Sequence, residues 1–237
     1  MPTTALAILS RSPVPGQTKR RLQQQLTGIE CALFHRACLV DLNSLAGRIG
    51  LPSFLYYTGA LNGFLEAAAW PVPPGFEALR ILQLDHLEFR PQCGDDLGER
   101  MRQAAAEVLQ SYDQVLLVGS DLPDLTETTL HAAVDSLASH DLAIGPSHDG
   151  GYYLFGLKKL NPGLFTAIEW GTERVLQQTM QAAGGERLKV VLLEQMRDVD
   201  TWPDLKAYAG RADDGISGRL ARKLAQKYRD NELEVVT

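Results

Sequence analysis

Three short segments of the 237-residue chain gather side chains able to do chemistry. The first is Arg11-Ser12-Pro13-Val14-Pro15-Gly16-Gln17-Thr18-Lys19-Arg20-Arg21-Leu22. It sets four cations, Arg11, Lys19, Arg20 and Arg21, around one glycine, in a chain whose formal charge is −6. Gly16 permits close backbone approach, and a helix start behind it would offer free N–H groups to an anion. A phosphate clamp accounts for this concentration of charge, and a solvated basic turn is the alternative. The second segment is Gly119-Ser120-Asp121-Leu122-Pro123. A carboxylate at a strand end can hold Mg²⁺, which takes one or two carboxylates and leaves its other positions to water and phosphate. The same Asp can instead close the next turn. The third runs Gly145-Pro146-Ser147-His148-Asp149-Gly150-Gly151-Tyr152-Tyr153-Leu154. Asp149 is a second candidate metal ligand, and the paired glycines offer backbone to a ligand. Asp-Gly is also a strong hairpin signal, and both readings can hold together. His148 can act as a base, touch substrate or stand exposed.

The elements that must position these residues alternate between short apolar runs and helical patterns, the signature of an α/β sheet. Ala5–Leu9 reads as a buried first strand, and a helix follows through Leu33, Cys38 and Leu42 towards Ile49. Strands are expected at Ser53–Thr58, Leu79–Leu84, Val115–Val118, Leu142–Ile144, Tyr152–Leu157 and Val190–Leu193. The run at Val115 is continuously apolar, as in a parallel sheet covered on both faces. Asp96 and Glu99 form a capping-box pattern ahead of Leu97, Met101, Ala105 and Val108 at helical spacing. Thr126 and Thr172 each begin a further helix, the latter stopping at Gly184-Gly185. A basic helical tail covers Ser217–Asn231. All three candidate segments follow strands, and ligands of open α/β sheets bind at the carboxyl ends of strands. Asp121 and Asp149 are therefore expected to converge on one cleft that Arg11, Lys19 and Arg21 also line. Replacing Lys19 by Ala is expected to weaken triphosphate binding and leave the melting temperature nearly unchanged.

Composition bounds the function. Hydrophobic content of 45% and charged content of 22% suit a globular chain with one large core. The acidic balance argues against general affinity for nucleic acid, whose phosphates demand a basic face. The N-terminus lacks the basic start and long apolar run of a signal peptide, and no apolar run is long enough for a membrane helix. Three cysteines, Cys31, Cys38 and Cys93, have no metal-finger spacing. A reduced, cytoplasmic setting is expected.

Taken together, the first loop, Gln92–Met101, Gly119–Thr126, Gly145–Leu157 and Trp170-Gly171-Thr172 resemble the DUF2064 family, also called radical-SAM/selenodomain-associated transferase 1. This family lies within the GT-A-like nucleotide-diphospho-sugar transferase superfamily, and the resemblance runs from Ala5 to about Leu205. It implies a three-layer α/β/α sandwich with a mainly parallel sheet, formed by one domain over residues 1–237, with a terminal helix near 215–231. It implies a first loop that holds a nucleotide, and kinship with nucleotidyltransferases. Arg11, Gly16, Lys19, Arg21 and Leu22 match the first family motif. Asp121 and Pro123 match an Asp-x-Pro, and Asp149, Gly150, Gly151 and Tyr152 match an Asp-Gly-Gly-Tyr. The chain departs at Arg20, where the family usually has Thr, and at Leu122, where Cys is commoner. Asp198-Val199-Asp200 is literally an Asp-x-Asp metal motif. Related nucleotidyltransferases close their sheet with a similar Asp-Thr-x-x-Asp-Leu turn, so a structural cap is the expected role.

The expected function is a metal-dependent glycosyltransferase or nucleotidyltransferase acting on a nucleotide triphosphate or nucleotide-sugar and an acceptor. Asp121, Asp149 and Lys19 would be catalytic, with Mg²⁺ or Mn²⁺ on the two aspartates. Arg11, Gly16, Lys19 and Arg21 would hold phosphates, and His148, Gly150, Gly151, Tyr152 and Trp170 would contact substrate. A nucleotide-binding regulator without turnover and a metal-dependent phosphohydrolase are the alternatives.

Overall fold

The computed structural model describes residues 3–65, 67 and 69–234. The chain groups into two compact units, one formed by residues up to Ser10, Ser44–Thr58 and Asp85–Asp198, the other by Arg11–Asn43, Gly59–Leu84 and Val199 onward.

The first unit holds a seven-stranded sheet. Its strands are β1 (Thr4–Arg11), β2 (Ser53–Thr58), β3 (Glu88–Pro91), β4 (Gln114–Gly119), β5 (Leu142–Pro146), β6 (Tyr152–Leu157) and β7 (Val190–Leu192), in the order β3-β2-β1-β4-β6-β5-β7. β1 is parallel to β4, β2 to β3 and β5 to β7, while β6 runs antiparallel to both its neighbours. The sheet is thus mainly parallel, as expected. Period-two alternation sorts its side chains onto two faces. Ala5, Ala7, Val115, Leu117, Phe155 and Leu157 share a buried cluster with Met101, Ala105 and Val108 of α3 (Leu97–Val108) and Ala183 of α5 (Val175–Gly185). On the other face Gly156 leaves room for Leu116 and for Leu137, the residue that ends α4 (Glu127–Ser136). Buried strands such as Val115–Val118 need cover on both sides, and helices supply it.

The first unit departs from expectation in three places. Leu97 belongs to the helical apolar series yet is 44% exposed. Asp96 does cap α3, accepting from Glu99 N at 2.8 Å, but the Glu99 carboxylate turns to Arg102 and Gln103 instead of closing the box. α5 begins at Val175, because Thr172 is spent on a turn with Glu169 and Arg174.

The second unit carries the loop after β1, most of α1 (Gly28–Ile49), the short α2 (Asn62–Leu65), α6 (Trp202–Arg211) and α7 (Ile216–Glu234). Residues 79–84, expected as a strand, form none. Arg36 explains why: wholly buried, it donates to Leu79 O (2.6 Å), Gly63 O (2.8 Å) and Arg80 O (3.3 Å). Within the segment, Leu79 O and Arg80 O thus take the Arg36 side chain, and Arg80 O also takes Ala67 N at 2.7 Å, in place of a strand partner. The Trp70 ring lies 5.5 Å from the guanidinium, and burial pushes its pKa down to about 10. α6 was not anticipated as a helix; Thr201 and Asp204 start it with a reciprocal capping box. α7 packs on α6 through a Tyr208–Ser217 hydroxyl contact of 2.7 Å and the buried Leu220 and Leu224. Among the described residues no helix is long and apolar enough to cross a membrane.

Candidate functional site

Sheet register determines where the two aspartates lie in the first unit. Leu9 of β1 sits opposite Gly119 of β4, and Val118 of β4 opposite Leu154 of β6. β4 ends at Gly119 and Asp121 follows it; β6 begins at Tyr152 and Asp149 precedes it. Because β4 and β6 are antiparallel neighbours, both aspartates emerge at one edge, the carboxyl end of β1 and β4. Asp121 is half-buried between the buried Ser120 and Leu122, which fixes its backbone.

Asp149 occupies the β5–β6 hairpin, so the turn reading of Asp-Gly holds. Its Oδ1 accepts from Ser147 Oγ and from Gly151 N at 3.0 Å, and both bonds fall on that one oxygen. Asp149 is itself exposed, and Oδ2 takes no part in these two bonds. Gly150 at φ +86° is the one residue type that fits its place: a Cβ there would stand 2.2 Å from Glu173 O. Leu176 N donates to Gly150 O at 2.9 Å, so the hairpin tip is fastened to the start of α5. His148 is exposed, and its backbone N donates to Met196 O at 3.1 Å while Met196 N donates to Pro146 O at 3.0 Å. Sequence reading gave no role to Gln195–Arg197, yet this stretch is stitched beside His148, and Gln195 Nε2 reaches Ser147 O at 3.3 Å. Only its place just past the last strand could have signalled it.

The aromatic candidates divide. The Tyr152 ring stacks on Phe155 at 5.2 Å and meets Trp170 edge-on at 6.4 Å. Its hydroxyl is enclosed; burial pushes the phenol above its ordinary range, offset in part by the Thr179 hydroxyl. The polar end of Tyr152 therefore faces the core, where it cannot greet a ligand. Trp170 is half-buried, its indole filling the space a side chain on Gly98 would need.

A further residue orders the same edge. The Gln92 amide donates to Ser10 O (3.0 Å) and Tyr56 O (2.8 Å), closing the ends of β1 and β2. Asp95 and Asp96 follow, both exposed, in a loop held by Arg100 Nε on Gly94 O at 2.9 Å. With Asp121 and Asp149 they make this edge strongly acidic, a surface that attracts cations. Among the described residues no three His, Cys, Asp or Glu side chains are grouped closely enough to ligate one ion, so a cation here would draw its remaining ligands from water or phosphate.

The first loop belongs to the second unit. Arg11, Gly16, Arg20 and Arg21 are exposed. Lys19 is not: its side chain is 1% exposed, at φ +48°, with Nζ donating to Val199 O at 2.7 Å and lying 3.6 Å from Asp200 Oδ1. This burial opposes the expectation that Lys19→Ala leaves the melting temperature nearly unchanged, since removing a buried, paired ammonium costs stability. The expected helix start behind Gly16 is corrected as well. Positive φ at Gly16 and Lys19 interrupts the right-handed course, and Leu22–Gln24 forms only one 3₁₀ turn. α1 starts at Gly28, where a Cβ would stand 2.8 Å from Gly16 N, so the loop tip rests on the first residue of the helix. Asp200 Oδ1 lies 3.6 Å from Lys19 Nζ, and the residue after it, Thr201, opens the α6 capping box.

The DUF2064 profile, described as uncharacterized proteins conserved in bacteria, matches residues 42–172. A crystal structure from Desulfovibrio desulfuricans G20, provisionally assigned as a nucleotide-diphospho-sugar transferase, is 30% identical and superposes with a TM-score of 0.80 over 97% of this chain and 98% of that one. The chain belongs to the DUF2064 family. More distant likenesses show the fold alone. CMP:2-keto-3-deoxy-manno-octonic acid synthetase complexed with CTP has 9% identity and a TM-score of 0.52, over 95% of this chain and 99% of that one. The 4-diphosphocytidyl-2C-methyl-D-erythritol synthase of Anaerococcus prevotii DSM 20548 has 9% identity and a TM-score of 0.54, over 86% and 92%. No curated protein matches the sequence.

Proposed function

We propose that this protein is a transferase acting on a nucleotide triphosphate or nucleotide-sugar, with a divalent cation on Asp121 and Asp149. The observation that carries the reading is the emergence of both aspartates at one sheet edge, with Asp149 exposed and anchored in its turn through one carboxylate oxygen. The provisional assignment of the Desulfovibrio relative points to the same substrate class. The donor set suits Mg²⁺ or Mn²⁺: hard carboxylate oxygens, few in number, leaving room for water and phosphate. Such a cation supplies charge stabilisation to a phosphate oxygen and orients it. Ser147 and Gly151 hold Asp149 in one orientation, so little reorganisation accompanies binding. Arg11 and Arg21 supply exposed positive charge for phosphates, and Gly16 offers backbone without a side chain in the way. Lys19 acts from beneath, tying its loop to Val199 and Asp200. His148 and Trp170 are the remaining candidate substrate contacts. Nucleotidyl and glycosyl transfer both fit this role.

A thermal-shift panel of nucleotides and nucleotide-sugars, each with and without Mg²⁺ or Mn²⁺, tests it. A ligand at a hundred times its dissociation constant stabilises by about 2.7 kcal/mol, a plain rise in melting temperature. Cation-dependent stabilisation by a phosphate-bearing ligand is expected. A panel in which no nucleotide or nucleotide-sugar shifts the melt would overturn the reading. Release of phosphate without an acceptor would replace it by hydrolysis.

A further inference from the structure

Glu30 lies in the first turn of α1 and its side chain is 13% exposed, yet its carboxylate takes four donors. Thr27 N and Thr27 Oγ1 donate to it at 2.8 and 2.9 Å, and Glu30 N returns a bond to Thr27 Oγ1 at 3.2 Å. This is a capping box, and it would be complete without help. Two further donors come from α7, some 200 positions along the chain: Lys227 Nζ at 2.7 Å and Tyr228 Oη at 2.7 Å. The Tyr228 ring in turn packs edge-on against Trp202 at 5.7 Å, at the first position of α6. What this capped helix end supports is the tip of the first loop, which lies on Gly28 with no side chain between. Farther along the loop, Lys19 is fastened to Val199 and Asp200, just ahead of α6.

We infer that α7 is a buttress for the first loop, with Glu30, Lys227 and Tyr228 as positioning residues that hold Gly16 and its neighbours ready for an anionic ligand. The proposal rests on the phosphate-binding role given to that loop above. Neither α7 residue touches the loop, so each acts through Glu30 and the start of α1. A loop held in its binding conformation pays less ordering entropy when a ligand arrives, so release of the buttress weakens binding without removing any ligand contact. Lys227 is exposed and Tyr228 half-buried, and α1 keeps its own cap when they change.

The test uses the full chain carrying Lys227→Gln and Tyr228→Phe together. Isothermal titration with inorganic tripolyphosphate and Mg²⁺ should show affinity reduced about fivefold, while circular dichroism stays that of the parent. Hydrogen–deuterium exchange should quicken across Pro13–Thr18 and stay unchanged in β4 and β6. Lys227→Arg with Tyr228 unchanged, which keeps both the ion pair and the hydroxyl bond, should show the parental value in both measurements. A folded double variant with parental affinity and parental exchange in the loop overturns the buttress. A parent that binds no tripolyphosphate overturns the phosphate role of the loop instead, and the exchange measurement then decides the buttress by itself.

Discussion

At the hairpin between β5 and β6 one residue has no permissible substitute. Gly150 combines φ +86° with a neighbouring carbonyl that would lie 2.2 Å from any Cβ. Left-handed backbone costs an ordinary residue about 1–2 kcal/mol, and the clash adds to it. Gly150→Ala is therefore expected to lower stability by about 2 kcal/mol or more and to disturb the Asp149 turn. Thermal melting checks this, and an unchanged midpoint would contradict it. Lys19 makes the complementary case. Its ammonium is buried, bonded to Val199 O at 2.7 Å and paired with Asp200 at 3.6 Å. Lys19→Ala removes a charge-assisted bond, and a loss of about 1.5–3 kcal/mol in stability is expected by denaturant unfolding. An unaltered midpoint would mean that the pair contributes nothing. At Asp121 the expected outcome concerns ligand: Asp121→Asn should keep the fold and lose the cation dependence of nucleotide stabilisation in the thermal-shift panel. A retained cation dependence would remove Asp121 from the site.

Among the elements, α6 carries its own start signal: Thr201 accepts from Asp204 N while the Asp204 carboxylate accepts from Thr201 N at 2.9 Å. Thr201→Ala should cost about 1 kcal/mol, the usual worth of an N-cap, and a melt lowered by a few degrees would record it. A loss of nothing would show that packing of Leu205 and Tyr208 alone holds the helix. That helix is readable from Thr201-Trp202-Pro203-Asp204, where Pro at the second position suits a helix start, although the segment reads equally as a metal motif followed by a structural cap. Legibility varied with the source of each element's hydrogen bonds. Ser53–Thr58 and Tyr152–Leu157 were read with the bounds the structure shows, because apolar runs bounded by turn residues pair with neighbouring strands. Leu79–Leu84 reads as a strand because Leu79, Leu82 and Leu84 do face a core, while the Leu79 and Arg80 carbonyls accept from Arg36, a partner 43 positions from Leu79 that no local pattern reveals. The site followed the same rule. The edge position of Asp121 and Asp149 was legible from strand ends; the burial of Lys19 and the inward turn of the Tyr152 hydroxyl depend on distant packing and were not.

For the molecule as a whole, the pH dependence of stability follows from carboxylates whose affinity for protons falls on folding. Burial acts first on Glu30, raising its pKa, but the bonds from Lys227, Tyr228 and Thr27 together outweigh it, and the net direction is down. The remaining ionisable neighbour, the Cys31 thiol, is pushed up to about 12 by burial and stays neutral. Glu99 is brought down to about 2 by hydrogen bonds from Arg102 and Gln103, and Asp113 is lowered by bonds from Thr3. A group with a lowered folded pKa binds its proton more tightly when unfolded. Its contribution is fully present above the unfolded value, about 4.5 for Glu, and is lost as pH falls through the folded one. The melting temperature is thus expected to be level from about pH 8 to pH 5 and to fall steadily below about pH 4.5. Glu30→Gln takes away one of the groups responsible, so its profile should be lower than the parent at neutral pH and converge on it in acid. Melts recorded across this range for both proteins check the sign as well as the size. Curves that stay parallel down to the acid limb would show that the Glu30 carboxylate gains nothing from Lys227 and Tyr228, and its link to α7 would then hold no energy to lose.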